Sequence, residues 1–305
     1  MSRTVVRFVL SVLVAASTLT GARAFAVTDP VPSLPGLYTL AFDVASGQQR
    51  SYVLYLPAGY TTTAATPYPV VVMFHGAGTS AAAFTGLLGS AGMGTLADTQ
   101  GKIVVLPHGR IGTAINTPGY WNLTNVGRDD VAFTEELLDY LLTPGNLHGD
   151  AAKVYAGGHS NGGAFVHKLG AEAPARFRAI GDVSGFYGTV ALQPAMPPAG
   201  TRLPMFKIHG DADPVVPYNG GGAANFLPAV DAYNNWYAND GCTAQTWVAV
   251  VVGGNRTLRT TMCDAQATTS LLQFVTLIGH NHAWPTVANS GYDGVAEMLA
   301  FFDRQ

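Results

Sequence analysis

Apolar runs alternate with helical patterns along most of the chain. Continuous apolar runs are typical of strands that are covered on both faces. They lie at 69–74, 102–106, 153–156, 179–183, 205–208 and 272–278, and residues 51–56 alternate as a half-buried strand does. Helical spacing marks 129–142, 163–172, 229–237 and 291–302. This order predicts an α/β fold, with a mostly parallel central sheet, helices on both faces and an antiparallel edge at the first strands.

Composition narrows the classes of protein to which the chain can belong. Hydrophobic residues make up 48% of the 305 residues and charged residues 11%, and the formal net charge is −3. Disordered chains carry more charge, and nucleic-acid-binding proteins usually carry a basic excess. Because no repeat or long linker interrupts the alternation, we expect residues 25–305 to form one domain. We also expect this domain to be a monomer and to bind no nucleic acid.

The first 24 residues have the pattern of a secretory signal peptide. Arg3 and Arg7 precede a short apolar run at 8–19, and Ala22-Arg23-Ala24 supplies the small residues of a cleavage site. A membrane anchor is the alternative, but the run is too short to span about 30 Å of hydrocarbon. We expect cleavage after Ala24, or else after Ala26, and export to the periplasm or outside the cell. Cleavage would remove three arginines and leave 13 basic against 19 acidic residues, a net charge of −6.

The chain has two cysteines, Cys242 and Cys263. An even count in an exported chain predicts one disulfide. The alternatives are a pair of buried free thiols or a metal site, and two thiolates without a nearby histidine are a poor set of zinc ligands.

The apolar run at 153–156 leads into a motif that is typical of a nucleophilic serine. Gly158, Ser160 and Gly162 fit the G-x-S-x-G pattern, in which serine occupies a strained turn between a strand and a helix. The residues two positions to either side must be small for this turn to close. The pattern therefore predicts Ser160 as a nucleophile, and an ordinary glycine-rich turn is the alternative.

A serine hydroxyl needs a base, and the order serine, acid, histidine is typical of this turn. Residues 205–208 lead to Asp211 and Asp213, of which Asp213 is the predicted acid because it precedes a proline-restricted turn. Residues 272–278 lead to His280 and His282, of which His282 is the predicted base. The His-x-His pair could instead bind a metal, but no third ligand is evident from the spacing.

Acyl transfer also needs donors that stabilise an oxyanion. The backbone N–H after the nucleophile, that of Asn161, is one candidate. The second should come from the loop after residues 69–74, where Ala77 is the first choice and Gly76 the second. A plain strand-to-helix turn is the alternative for this loop.

With these residues in place, the chain resembles secreted α/β-hydrolases that include feruloyl esterases and polyhydroxybutyrate depolymerases. The motifs that carry the resemblance span residues 75–285. They are His75-Gly76-Ala77-Gly78, Tyr120-Trp121-Asn122, Asp129-Asp130-Val131, and the blocks at 158–163, 209–218 and 282–285.

The resemblance favours Asp213 over Asp211 and His282 over His280. The Asn239-to-Cys242 block is similar to an Asn-Gly-Cys block of the family, which supports the disulfide. One departure is the Gly279-to-His282 segment, where the family usually has more glycine. The resemblance implies ester hydrolysis in two steps through an acyl-enzyme, without a cofactor or a metal.

Residues around the motif loops are candidates for a substrate wall, and packing beneath the loops is the alternative for each. They are His75, Trp121, Tyr218 and Trp284. Among the other histidines, we expect the His159 side chain to point away from Ser160, and His148 and His167 to lie in a loop and on a helix surface. His75, His108 and His209 each end a predicted strand and are candidates for supporting hydrogen bonds.

The leading hypothesis is an esterase that acts on the phenolic or acetyl esters of plant cell walls, small or polymeric. A polyester depolymerase is the second hypothesis, and a peptidase on the same architecture is less well supported because no gating domain fits in this length. A secreted binding protein without activity is the alternative from another class, but such a protein would be expected to lack one member of the triad.

Overall fold

The structure is a computed structural model that describes residues 28–112, 114–189, 196–198, 200–243, 245–252, 255–262 and 271–305. The predicted signal peptide, both candidate cleavage sites and Cys263 lie outside the described residues. The signal peptide and the disulfide between Cys242 and Cys263 therefore stay predictions.

Ten strands form one sheet in the described part of the chain. The strands are β1 (Gly36–Asp43), β2 (Gln49–Leu56), β3 (Tyr68–Phe74), β4 (Ile103–Pro107), β5 (Gly149–His159), β6 (Ala179–Val183), β7 (Met205–Gly210), β8 (Gln245–Val252), β9 (Asn255–Met262) and β10 (Leu272–Leu277). Their order across the sheet is β1-β2-β4-β3-β5-β6-β7-β10-β9-β8.

The six central strands, from β4 to β10 in the sheet order, all run parallel. β1 and β2 form an antiparallel edge on one side, and the hairpin of β8 and β9 forms one on the other. The predicted mostly parallel sheet and its antiparallel first edge are therefore confirmed. The sequence patterns missed β1, β8 and β9.

Helices cover both faces of this sheet, as predicted. The helices are α1 (Ala81–Phe84), α2 (Met93–Gln100), α3 (Asp130–Leu142), α4 (Asn161–Glu172), α5 (Ala229–Asn239), α6 (Val287–Ser290) and α7 (Gly294–Asp303). Helices α3, α4 and α5 contribute to one apolar core, and α1, α2 and α7 contribute to the other. Short 3₁₀ turns follow α1 and α4.

The two cores explain why the central strands are apolar at most positions. In β3, Val70, Val72 and Phe74 belong to one core, whereas Val71 and Met73 belong to the other. Successive side chains of a strand point to opposite faces, so most positions of a strand that is covered on both faces point into an apolar core.

The parallel arrangement also sets the position of the loops that carry the motifs. β3, β5, β7 and β10 run in the same direction, so Phe74, His159, Gly210 and Leu277 all end at one edge of the sheet. Within the described residues, no helix has the length and apolar character needed to cross a bilayer.

Candidate active site

Ser160 occupies the sharp turn between β5 and α4. Its backbone has φ 56° and ψ −119°, a conformation that residues other than glycine rarely adopt. A Cβ added to Gly158 would lie 2.3 Å from the carbonyl oxygen of Gly162, and a Cβ on Gly162 would lie 2.1 Å from that of Phe74. The turn therefore closes only if both positions are glycine, which is the reason for their spacing in the sequence.

His282 joins Ser160 to Asp213 through hydrogen bonds at both ring nitrogens. Its Nε2 lies 2.9 Å from Ser160 Oγ, and its Nδ1 lies 2.7 Å from Asp213 Oδ2. The Asp213 side chain has no exposed surface, whereas that of His282 remains 18% exposed. The three residues come from the ends of β5, β7 and β10, and they meet because these strands end at one edge of the sheet.

Asp213 is held in place by the turn that follows it. Its Oδ1 accepts hydrogen bonds from the backbone N–H groups of Val215 and Val216, at 2.8 and 2.9 Å. Burial by itself raises the pKa of Asp213, but the hydrogen bonds from His282 and from these two amides outweigh burial and hold the pKa below its ordinary value. The carboxylate is therefore charged where it faces the imidazole.

The other two candidates in these loops have different partners. Asp211 accepts a hydrogen bond from the backbone N–H of Gly279 at 2.6 Å, and His280 Nε2 lies 2.9 Å from the carbonyl oxygen of Ala283. Asp211 thus joins the loop after β7 to the loop at 278–286, the histidine loop, whereas His280 makes a bond within the histidine loop. The geometry thus brings Asp213 and His282, rather than Asp211 and His280, to Ser160.

The predicted oxyanion donors lie on both sides of Ser160. Asn161 is the first residue of α4, so its N–H has no partner within the helix. Gly76 lies so close that an added Cβ would be 3.3 Å from Ser160 Cβ. The next residue, Ala77, is exposed, and its N–H makes no hydrogen bond within the described chain. The Gly76–Ala77 loop is fastened where the N–H of Gly78 donates to Gly119 at 2.9 Å.

His75 and Trp121 are not part of an exposed wall, contrary to the prediction that they contact substrate. His75 has no exposed surface and Trp121 has 1%. The Trp121 ring packs on Phe74 and Phe165, and its Nε1 donates to the carbonyl oxygen of His75 at 2.9 Å. The Asn161 side chain accepts a hydrogen bond from the Trp121 N–H at 2.6 Å. These residues support the loops from below.

Tyr218 and Trp284, the other two predicted wall residues, keep part of their surface exposed. Tyr218 is half-buried, and its hydroxyl lies 2.9 Å from Thr276 Oγ1, while its ring stacks on Phe274. Trp284 is also half-buried, and it lines a surface groove with Phe84, His159 and Asn289. The Trp284 and Phe84 rings meet edge to face, 6.1 Å apart. Trp284 is therefore the candidate wall residue with an open surface beside it.

The histidines at strand ends make the kind of supporting hydrogen bonds that were predicted. His75 Nε2 accepts from the N–H of Gly109 at 3.0 Å, and His209 Nε2 donates to the carbonyl oxygen of Val216 at 2.9 Å. Burial lowers the pKa of His75, and that of His209, to about 4, so both rings are neutral at pH 7.

The prediction that His167 lies on a helix surface is wrong. The residue is only 1% exposed. Its Nε2 lies 2.9 Å from Asp182 Oδ2, and its Nδ1 accepts a hydrogen bond from Trp236 Nε1 at 3.0 Å. Lys207 pairs with the same carboxylate and has no exposed side-chain surface. Sequence analysis singled out neither Asp182 nor Lys207, because each sits in a strand as one polar residue among apolar neighbours.

Burial raises the pKa of Asp182, but Lys207 and His167 outweigh burial and keep the pKa below its ordinary value. Asp182 Oδ1 also accepts from the N–H of Gly185 at 2.7 Å, and Lys207 donates to the Gly185 carbonyl at 2.9 Å. This cluster therefore fixes the backbone that follows β6, next to the Ser160 turn.

The chemistry available at Ser160 follows from its contacts. An imidazole that accepts the hydroxyl proton on one side and faces a buried carboxylate on the other can activate the oxygen as a nucleophile. The nearby backbone N–H groups can stabilise negative charge on a substrate oxygen.

Comparisons with known proteins agree with this chemistry. Residues 44–285 match the Esterase family, described as "Putative esterase". The chain is 27% identical over 265 residues to "Putative esterase NocK" of Nocardia uniformis subsp. tsuyamanensis, covering 79% of this chain and 72% of the relative. It is 28% identical over 208 residues to feruloyl esterase C of Emericella nidulans, covering 67% of each.

Solved structures share the fold at lower identity. An acetyl xylan esterase from Aspergillus awamori superposes with a TM-score of 0.62 at 16% identity, over 88% of this chain and all of the other. An S-formylglutathione hydrolase from Agrobacterium tumefaciens superposes with a TM-score of 0.58 at 13% identity, over 91% and 98% of the two chains. The family match covers well over half of the sequence, and the chain accordingly belongs to the Esterase family and has the α/β-hydrolase fold.

Proposed function

We propose that the protein is a secreted serine carboxylesterase that hydrolyses feruloyl- or acetyl-type esters of plant cell walls. The observation that carries this proposal is the hydrogen-bonded line from Ser160 Oγ through His282 to the buried carboxylate of Asp213. Residues 25–305 would act as one catalytic domain after removal of the signal peptide, with Cys242 and Cys263 paired in a disulfide.

The reaction proceeds in two steps. His282 Nε2 takes the proton of Ser160 as the oxygen attacks the ester carbonyl, and Asp213 stabilises the resulting imidazolium. The N–H groups of Asn161 and Ala77, or Gly76 in place of Ala77, stabilise the tetrahedral oxyanion. His282 then protonates the leaving alcohol. In the second step it activates a water molecule that releases the acid and restores Ser160.

The substrate class is supported by the relatives and by the groove. The chain is similar to a feruloyl esterase and to an acetyl xylan esterase. In the groove beside the histidine loop, Trp284 and Phe84 present aromatic surface next to His159. Aromatic side chains of this kind stack favourably on a planar ring, so Trp284 is the wall residue that we assign to a phenolic group.

The test compares Ser160→Ala with a matched serine variant. Ser184 follows β6 as Ser160 follows β5, and it also has a positive φ, of 51°. We expect Ser160→Ala to lower kcat/KM for p-nitrophenyl acetate by about 10⁴-fold or more, and Ser184→Ala to change it by less than about threefold. Activity in Ser160→Ala comparable to that of the unmutated protein would refute the assignment.

A panel of esters then separates the substrate classes. It contains p-nitrophenyl acetate and butyrate, methyl ferulate and a hydroxybutyrate oligomer. Preference for methyl ferulate or the acetyl ester supports the proposal, whereas preference for the oligomer identifies a polyester hydrolase. If no ester is hydrolysed, the protein is not a carboxylesterase, and a role as a secreted binding protein becomes the better explanation.

A further inference from the structure

His159 contacts the backbone of the residue that we assign as the base. Its Nε2 lies 2.8 Å from the carbonyl oxygen of His282, and the two ring centres are 5.0 Å apart. A carbonyl oxygen only accepts, so His159 Nε2 carries the proton and donates it. The prediction that this side chain points away from Ser160 left this contact unforeseen.

Two consecutive residues therefore bind one residue of the opposite loop. His159 binds the His282 carbonyl, and Ser160 binds the His282 ring at 2.9 Å. Within the described chain, His159 is the one hydrogen-bond partner of the His282 backbone. The other bonds of this loop hold residues on either side of His282: Gly279 binds Asp211, Ala212 binds His280, and His280 Nε2 binds the Ala283 carbonyl.

The surroundings of His159 favour a neutral and well-placed ring. Burial, and then the nearby imidazole of His282, lower the pKa of His159 to about 4. Its Nδ1 faces Gly76, where an added Cβ would be 3.4 Å away. Trp284 flanks the ring at 6.2 Å. The ring is thus enclosed between the Gly76–Ala77 loop, the histidine loop and the groove that Trp284 lines.

We propose that His159 is a positioning residue for ester hydrolysis, which holds the His282 carbonyl so that the His282 ring stays in line with Ser160 Oγ. This inference rests on the proposed function. Ser160 is fixed by the turn after β5, but His282 sits on a loop beyond the end of β10. A bond from residue 159 ties that loop to the strand that carries the nucleophile.

The test removes the donor and then restores it in another form. His159→Leu and His159→Met remove the N–H, whereas His159→Gln retains an N–H that can reach the position of Nε2. His148 provides the matched control, because it is also half-buried and its Nε2 lies 3.0 Å from a carbonyl oxygen, that of Ala64. It precedes β5, roughly 35 Å from His159 along the strand.

We expect His159→Leu and His159→Met to lower kcat for p-nitrophenyl acetate by about 10- to 100-fold, with KM changed by less than about threefold. His159→Gln should recover kcat to within about fivefold of the unmutated protein, and His148→Leu should leave it within about twofold. Circular dichroism and thermal melting select the variants that are folded, and whichever of the Leu and Met variants folds is used.

Three results would overturn the inference: an unchanged kcat in the folded variant without a donor, an equal loss in His148→Leu, or no recovery in His159→Gln. In each of these cases Ser160→Ala is still inactive and the proposed function stands. If the unmutated protein hydrolyses no ester, the proposed function fails first, and the inference fails with it.

Discussion

Two of the aspartate–histidine pairs in the described part of the chain look alike and differ in what surrounds them. Asp213 and His282 lie 2.7 Å apart at the edge of the sheet, and Asp182 and His167 lie 2.9 Å apart beneath it. In the first pair, the far nitrogen of the histidine faces Ser160 Oγ. In the second, it faces the indole N–H of Trp236.

That difference decides whether the far nitrogen faces a group that can give up a proton. Trp236 donates to His167 Nδ1, so this nitrogen has no proton, and Nε2–H donates to Asp182. A serine hydroxyl can both donate and accept, so His282 Nε2 can accept the proton of Ser160 and return it.

The two pairs also differ in their counter-charge and in their exposure to solvent. Lys207 neutralises Asp182, and no side chain of that ion pair is exposed. Asp213 has no lysine or arginine bound to it in the described part of the chain, and the His282 side chain is 18% exposed. An Asp–His pair is therefore a sign of catalysis only when an exchangeable hydroxyl lies at the far nitrogen and substrate can reach it.

The largest expected effect is on activity at the first pair. Asp213→Asn should lower kcat/KM for p-nitrophenyl acetate by about 10⁴-fold, or about 5.5 kcal/mol, because the amide no longer orients and stabilises the imidazole. The midpoint of urea unfolding should change little, since Asn retains an oxygen for the amides of Val215 and Val216. A loss below tenfold would contradict the assigned role.

The matched substitution at the second pair should act on stability instead. Asp182→Asn leaves the buried ammonium of Lys207 without its counter-charge, which destabilises a protein by about 3–5 kcal/mol. Urea unfolding followed by tryptophan fluorescence measures the loss. The folded fraction should retain kcat to within a few fold, and a large loss of kcat without a loss of stability would make the two pairs functionally alike.

The smallest expected effect tests the partner of His167. Trp236→Phe keeps an aromatic ring but removes the donor to His167 Nδ1, and an unsatisfied buried nitrogen costs about 1–3 kcal/mol. Trp284→Phe is the control, since its Nε1 has no hydrogen-bond partner in the described residues. The free energy of urea unfolding should fall more for Trp236→Phe. If the free energy of unfolding fell equally in both variants, the effect would come from the smaller ring and not from the lost hydrogen bond.

Much of the candidate site could be predicted because its parts are local in the chain. Gly158 and Gly162 indicate the turn at Ser160, because the turn leaves no room for a Cβ at either position. Asp213 and His282 could be assigned to strand ends because continuous apolar runs locate buried strands. The choice of Asp213 over Asp211 rested on the turn that follows it, and its contacts with Val215 and Val216 have that origin.

The predictions that failed concern side chains whose neighbours come from distant parts of the chain. Trp121 follows a motif loop and was interpreted as a substrate contact, but its ring packs between Phe74 and Phe165. His167 was placed on a helix surface, yet α5 brings Trp236 against it. Spacing along one segment carries no information about what another segment places over it.

The amino-acid sequence by itself determined the order of the six parallel strands and of helices α3, α4, α5 and α7, the turn at Ser160 and the residues available at the strand ends. Those features depend on side-chain periodicity and on backbone sterics within a few residues. The tertiary structure alone decided that His167 meets the indole of Trp236, and that His159 binds the His282 carbonyl. These contacts join residues 69 and 123 positions apart, so they exist only once the parallel sheet brings its strand ends and helices together.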